Sequence, residues 1–240
     1  MKILGVDSAW NSKNPSGIAL VQKMEKWECV LCRSQSNFRL QEILCQHPDV
    51  KLIVADIPLV FQGEFYGRRV ADDAISHTFG KFKCSTHTAS SKCHPNLKRI
   101  SEELIETAKE FEIPIIETYP HPAILALFEQ AGTPLPERLQ YKVGKQHSYW
   151  PQHTSEKRKV ALLNNLSMLR KKLSTLIDLS QIPYPMVDVQ MKKKELKELE
   201  DCLDALVCAW VGIQYLQGKC YDFGDNKSKI WIPQYKSLVR

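Results

Sequence analysis

The chain has 240 residues, 43% of them hydrophobic and 25% charged, which suits an ordinary globular protein and excludes disordered, collagen-like and low-complexity architectures. Its apolar runs, such as residues 52–55 (LIVA) and 205–211 (ALVCAWV), fall well short of the roughly 20 residues that cross a bilayer. The net charge of +6 permits a polyanionic partner, and the acid at Asp7 comes too early for the core of a secretory signal, so a cytoplasmic protein with no membrane association is expected.

The first third reads as strands. Residues 2–8, 16–23 and 27–33 are β-rich and separated by short polar stretches holding Asn14-Pro15 or Lys23-Met24-Glu25-Lys26, the pattern of an antiparallel meander. Residues 37–47 carry Phe38, Ile43 and Leu44 at helical spacing, with Asn37 as the expected cap. Residues 51–57 are apolar on both faces, as in a central strand covered by helices. Residues 65–80 are polar and helical in part, and 81–100 read as a loop rich in Ser, Thr, Lys, His and Cys. A helix over 101–112 opens on Ser101, with Glu102 and Glu103 in its first turn. A short strand at 113–118 precedes Tyr119-Pro120-His121-Pro122, and residues 123–130 and 155–177 read as helices. The longest helix, 194–217, ends at Gly218, and a last strand at 229–232 closes before Pro233. This order predicts one α/β domain over 1–240 with a mixed sheet, and a helical insertion or lid at 131–192.

Eight cysteines are read as small buried hydrophobes of a reducing compartment. Cys29-x-x-Cys32 lies on a strand with no second pair at ribbon spacing, so no metal is expected there. Cys84, His87, Cys93 and His94 lie close together in the polar loop; a zinc site is one reading and a plain loop the other, because the spacing matches no standard finger. Three basic clusters occupy the second half: Lys157-Arg158-Lys159, Arg170-Lys171-Lys172 and Lys192-Lys193-Lys194. Each alone reads as a solvated helix face, and the three together favour nucleic acid.

The acids carry the chemistry. Asp7, Asp56 and Glu117 each end an apolar strand, and ligands of open α/β sheets collect beyond the carboxyl ends of strands. For one such acid a helix cap or loop hydrogen bond would suffice; three on neighbouring parallel strands would meet at one edge. Asp201 and Asp204 share a face of the long helix, and helical steps from Asp204 reach Val207, Cys208, Val211 and Tyr215, the face that should pack on the sheet. A carboxylate there needs a proton, a lysine partner or a metal, unless this stretch is an exposed first turn of a frayed helix. Clustered carboxylates cannot all ionise without a cation. Their hard oxygens suit Mg²⁺ or Mn²⁺, and two such ions roughly 4 Å apart support phosphodiester cleavage. No Walker A loop, dinucleotide fingerprint or nucleophile elbow is present.

A strand ending in Gly5-Val6-Asp7, a hairpin, a second acid and a late helix with Asp201-x-x-Asp204 together resemble the RNase H-like fold, and the last pair resembles that of RuvC-type resolvases. The whole chain resembles the family named domain of unknown function 429, described as RNase H-like nucleases predicted from fold. The stretches concerned are residues 5–10 (GVDSAW), 15–19 (PSGIA), 56–59 (DIPL), 68–72 (RRVAD), 117–122 (ETYPHP), Tyr141-Lys142 and 201–205 (DCLDA). The resemblance implies an RNase H-like mixed sheet, three antiparallel strands then parallel ones, flanked by helices. It implies a Mg²⁺- or Mn²⁺-dependent nuclease in which Asp7 and Asp56 hold a metal pair, Asp204 completes the shell with Asp201 nearby, and Glu117 is a further ligand or orients water. Arg69 and Asp72 would stand at the mouth of the site, or form a surface ion pair. Lys142, Lys145 and His121 would meet phosphates, His121 being equally readable as a turn residue. Trp10 would stack on a base, or pack in the core. The alternatives are a nucleic-acid-binding protein of the same fold without catalysis, and an actin-like nucleotide- or sugar-handling enzyme. The latter is disfavoured by the glycine-poor stretch after Asp7.

Overall fold

The computed structural model describes residues 1–11, 14–60, 67–88, 95–182 and 189–236. Its strands β1 (Lys2–Asp7), β2 (Ser16–Lys23), β3 (Trp27–Gln35), β4 (Val50–Asp56), β5 (Ile115–Glu117), β6 (Cys220–Gly224) and β7 (Lys229–Pro233) form one sheet of order β3-β2-β1-β4-β5-β7-β6. β1, β2 and β3 pair antiparallel, whereas β1-β4, β4-β5 and β5-β7 pair parallel. This is the expected RNase H-like arrangement of a three-stranded meander continued by parallel strands. An antiparallel β6-β7 hairpin completes the sheet. β6, an edge strand, lies outside the sequence reading, because Tyr221, Asp222 and Gly224 are exposed and show no apolar alternation.

Helices α1 (Leu40–Gln46), α2 (Val70–Phe79), α3 (Pro95–Glu110), α4 (Pro120–Gln130), α5 (Gln146–Tyr149), α6 (Ser155–Ser174) and α7 (Lys193–Leu216) surround the sheet. One face buries Leu4, Val6, Ile18, Ile53 and Ala55 with Ile43, Leu44, Leu97 and Leu104 of α1 and α3. The other face buries Ile3, Ala19, Leu52 and Val54 beneath α7, α4 and α6. The 131–192 segment joins this second core through Leu162, Leu166, Leu169 and Leu173 of α6.

Three helix starts differ from expectation. Asn37 takes a left-handed φ of 53° and turns the chain, while Arg39 stands at the N-cap of α1. Helix α3 begins at Pro95, a residue preorganised for a first helical turn, so Ser101 lies buried inside the helix. The loop expected over 81–100 is correspondingly shorter, and residues 89–94, including Cys93 and His94, lie outside the described residues. Helix α4 begins at Pro120, so His121 is helical. The end of α7 follows expectation: Gly218 has φ 68°, Lys219 N–H bonds the Gln214 carbonyl, and Gly218 N–H bonds that of Tyr215.

Helix α7 rests directly on backbone. A Cβ at Gly17 would stand 1.9 Å from the Asp201 carbonyl oxygen, and one at Gly5 would stand 2.1 Å from that of Ala205. Farther along, Gly212 receives Ile3 and Val54. The helix thus runs from β2 across β1 toward β4, with Asp201 and Asp204 at the strand ends.

Candidate active site

Strand alternation decides which side chains reach α7. Ile3, Gly5 and Asp7 share the α7 face of β1, and Leu52, Val54 and Asp56 share that of β4. The register pairs Asp7 with Asp56. Two carboxylates therefore stand side by side at the ends of adjacent parallel strands, on the side where α7 brings Asp204. Among the described residues, none donates a hydrogen bond to the Asp7 or Asp56 side chain.

Asp204 is fully buried on α7 and both its oxygens are engaged: Oδ1 by the Tyr141 hydroxyl and Oδ2 by Lys142 Nζ at 2.5 Å. The lysine partner considered for Asp204 is thus present, 62 residues away in sequence. Val143, next in the same strap, donates its N–H to Glu200 Oε2 at 2.5 Å. Glu200 Oε1 also accepts from Lys197 at 2.8 Å and lies 3.7 Å from Lys142. Asp201 pairs with Lys197 and accepts from Ser34 Oγ at 3.3 Å. Glu200 and Lys197 are absent from the sequence candidates, and Tyr141 enters there only within the family stretch Tyr141-Lys142, with no role of its own. For Glu200 a signal existed, since helical spacing places it one turn from Asp204.

Electrostatically the group is short of positive charge. Burial, then Asp204, pushes the Asp7 carboxyl well above the usual range, with Lys142 pulling it down. Burial raises Asp56 to about 7 against the pull of Lys142, and raises Asp201 to about 6 against that of Lys197. Asp204 is raised by burial too, against Lys142. Burial alone would lower the Lys142 pKa, but Asp204, Tyr141 and Glu200 outweigh it and hold the ammonium charged. Cys208, one turn after Asp204, is raised well above the usual thiol range by burial and then by Asp56 and Asp7.

Glu117 belongs to a different constellation. Arg69 clasps it through two bonds of 2.7 Å, and the Leu59 N–H donates to it at 2.7 Å. The same guanidinium bonds both oxygens of Asp72 at 2.9 Å, and Asp72 also accepts the Arg69 backbone N–H at 3.1 Å. Neither reading of Arg69 and Asp72 anticipated this: they form a buried ion triad with Glu117, not a surface pair. Burial raises the Glu117 pKa despite Arg69, and its negative charge in turn raises that of Asp56.

The remaining candidates scatter. His121 is buried with Nδ1 unbonded, edge-on to Tyr119 and Tyr141 at 5.5 and 5.6 Å. Burial, then Lys142 and Arg138, holds its pKa well below the ordinary imidazole value. Lys145 is exposed at the start of α5. Trp10 packs on the core beneath α1 and α3, on the sheet face opposite the acids. A 470 Å³ cavity lined by Ser8, Ser16, Asn37, Arg39 and Arg99 opens on that opposite face too. Cys84 is buried, donates to the Phe82 carbonyl at 3.5 Å and is raised by burial to about 12. Cys29 and Cys32 lie on β3, each bonding a backbone carbonyl.

Among the described residues, no three His, Cys, Asp or Glu side chains form a group that could hold a metal ion. The donor chemistry of Asp7 and Asp56 nevertheless fits a hard divalent cation: oxygen ligands only, adjacent, unbonded to other side chains and mutually repulsive.

Sheet order and site together define an RNase H-like α/β protein with a carboxylate centre under its last long helix. The chain belongs to the family described as "Protein of unknown function (DUF429)", whose model matches residues 5–229. Among solved structures it is similar to RuvC of Thermus thermophilus, at 11% identity and a TM-score of 0.45 over 95% of this chain and 99% of that one. It is similar also to T. thermophilus RuvC in complex with a Holliday junction substrate, at 11% identity and a TM-score of 0.42 over the same shares. No significant sequence match is found among curated proteins. Among the described residues, no helix is long and apolar enough to cross a membrane.

Proposed function

We propose that this protein is a Mg²⁺- or Mn²⁺-dependent phosphodiester hydrolase acting on nucleic acid, a nuclease. The observation that carries the reading is the in-register pair Asp7 and Asp56 beside Asp204. With Asp201 and Glu200 they make five carboxylates, against the two ammonium groups of Lys142 and Lys197. A divalent ion on Asp7 and Asp56 would relieve that excess and, when bound, supply Lewis acidity toward a phosphodiester. Asp204 holds Lys142 where a phosphate oxygen approaching Asp7 would meet its ammonium. Arg69 and Glu117 support the end of β4 from the side, in a positioning role. Lys145, at the start of α5, and Lys192, Lys193 and Lys194, at the start of α7, are exposed and suit a phosphate backbone.

The test is incubation of the full chain with labelled RNA, DNA and RNA–DNA hybrid in Mn²⁺, beside calorimetric Mn²⁺ titration. Cleavage abolished in Asp7→Asn supports the reading; intact protein that neither binds the ion nor cuts any substrate ends it. The engagement of Asp204 by Lys142 favours a second reading, nucleic-acid binding without turnover. Its signature is affinity that falls steeply with salt while all substrates stay intact.

A further inference from the structure

We propose that Lys142 takes the place of a second metal ion: the centre accepts one divalent cation, on Asp7 and Asp56, and the Lys142 ammonium fixed on Asp204 supplies the other positive charge. This rests on the hydrolase reading above and departs from the two-ion shell expected from sequence.

Three observations converge. First, the α7 acids are already engaged by side chains. Tyr141 and Lys142 take both oxygens of Asp204, and Lys197 bridges Asp201 and Glu200. Second, Lys142 is fixed from both sides. Tyr141 docks on Asp204 and Val143 N–H docks on Glu200 at 2.5 Å, so the strap seats its middle residue over α7 through neighbours on either hand. A loosely held lysine would yield to an ion; this one is built in. Third, Asp7 and Asp56 alone lack side-chain hydrogen bonds from described residues. With Asp204 withdrawn, no third carboxylate joins them, in accord with the absence of any three-ligand group among the described residues. An ammonium is a compact charge with three donors. After bonding Asp204 it retains protons to offer a phosphate oxygen, so charge and hydrogen bonding come from one fixed atom.

The experiment counts ions. Full-length protein is titrated with Mn²⁺ at pH 8 by calorimetry and by electron paramagnetic resonance of free and bound Mn²⁺. One ion per chain is expected, lost in Asp7→Asn. Lys142→Met should raise the count to two, because Asp204 is released to join Asp7. Lys142→Arg should keep one. Should Lys142→Met fail to fold, the double variant Lys142→Met/Asp204→Asn removes both charges of the pair and should still bind one ion. Two ions in the wild type, with the spin coupling of a close pair, would overturn the inference and leave the hydrolase reading standing. A count unchanged in folded Lys142→Met would overturn it likewise. Absence of both binding and cleavage in the wild type would overturn both.

Discussion

Gly17→Ala asks whether the acid centre depends on the close approach of α7. The added Cβ would stand 1.9 Å from the Asp201 carbonyl oxygen and 3.2 Å from its Cα. An ordinary carbon contact needs about 3.5 Å, so helix and strand must separate by about 1.6 Å. No flexible side chain can absorb this. Gly17 is paired on both sides, to Asp7 of β1 and Ser34 of β3, and the carbonyl lies within α7. Overpacking costs about 1–3 kcal/mol where side chains can adjust; with backbone on both sides the upper end, about 3 kcal/mol, is expected. For a chain of this length each kcal/mol shifts the melting temperature by about 2–4 °C, so Gly17→Ala should melt about 6–12 °C below wild type. Gly144→Ala, whose Cβ meets nothing within 4 Å, is the control and should stay within about 2 °C. Melting and urea curves followed by circular dichroism decide the matter. A Gly17→Ala protein that melts with wild type would refute the seating of α7 on β2, and with it the placement of Asp201 and Asp204.

Two further perturbations address groups around the centre. Arg69→Ala strands Glu117 and Asp72 without their buried cation and should cost about 3–5 kcal/mol in urea denaturation; a loss under 1 kcal/mol would mean the triad is solvated. His121→Phe should leave stability at pH 8 near wild type, since the imidazole Nδ1 has no partner to lose. The folded His121 resists protonation while the unfolded chain takes a proton near pH 6.5. Wild-type stability should therefore fall, relative to the variant, by about 1.4 kcal/mol per pH unit below that value. Parallel pH profiles of the two proteins would contradict the burial of a neutral histidine.

What was legible in the sequence was what periodicity writes. Asp7 and Asp56 end unbroken apolar strands, and Asp204 interrupts the apolar face of a long helix, so each betrays itself by breaking a local pattern. Lys142 and Arg69 break none. Each finds its carboxylate across the fold, Arg69 meeting Glu117 48 residues on, and such a pairing leaves no spacing to read. The reassignment of Glu117 has the same origin: a strand-end acid looks alike whether it faces a ligand or a guanidinium. The first turns of α3 read as loop because the stretch 81–100 is rich in Ser, Thr, Lys, His and Cys, although Leu97, Ser101, Leu104 and Ala108 all turn inward at helical spacing.

The juxtaposition of Asp7 and Asp56 depends on one residue. Lys2 pairs with Val50, but Ile3 pairs with Leu52, so Lys51 is an extra residue on β4. Without that shift Asp7 would lie opposite Ala55, and Asp56 would be one place out of register. A bulge of this kind weakens pairing locally, and here it also sets two like charges next to each other. Neither effect helps the fold: burial, with Asp204 and Glu117 near by, raises the Asp56 carboxyl to about 7, and Asp56 in turn helps to raise Asp7. Near neutral pH a divalent cation, on the proposed reading, would have to compete with protons for the same oxygens. A packing rationale would have replaced one of these acids by an apolar residue. A cation-binding rationale accounts for both the bulge and the charges, and it predicts ion affinity that strengthens as pH rises through 7, the direction in which Asp56 releases its proton.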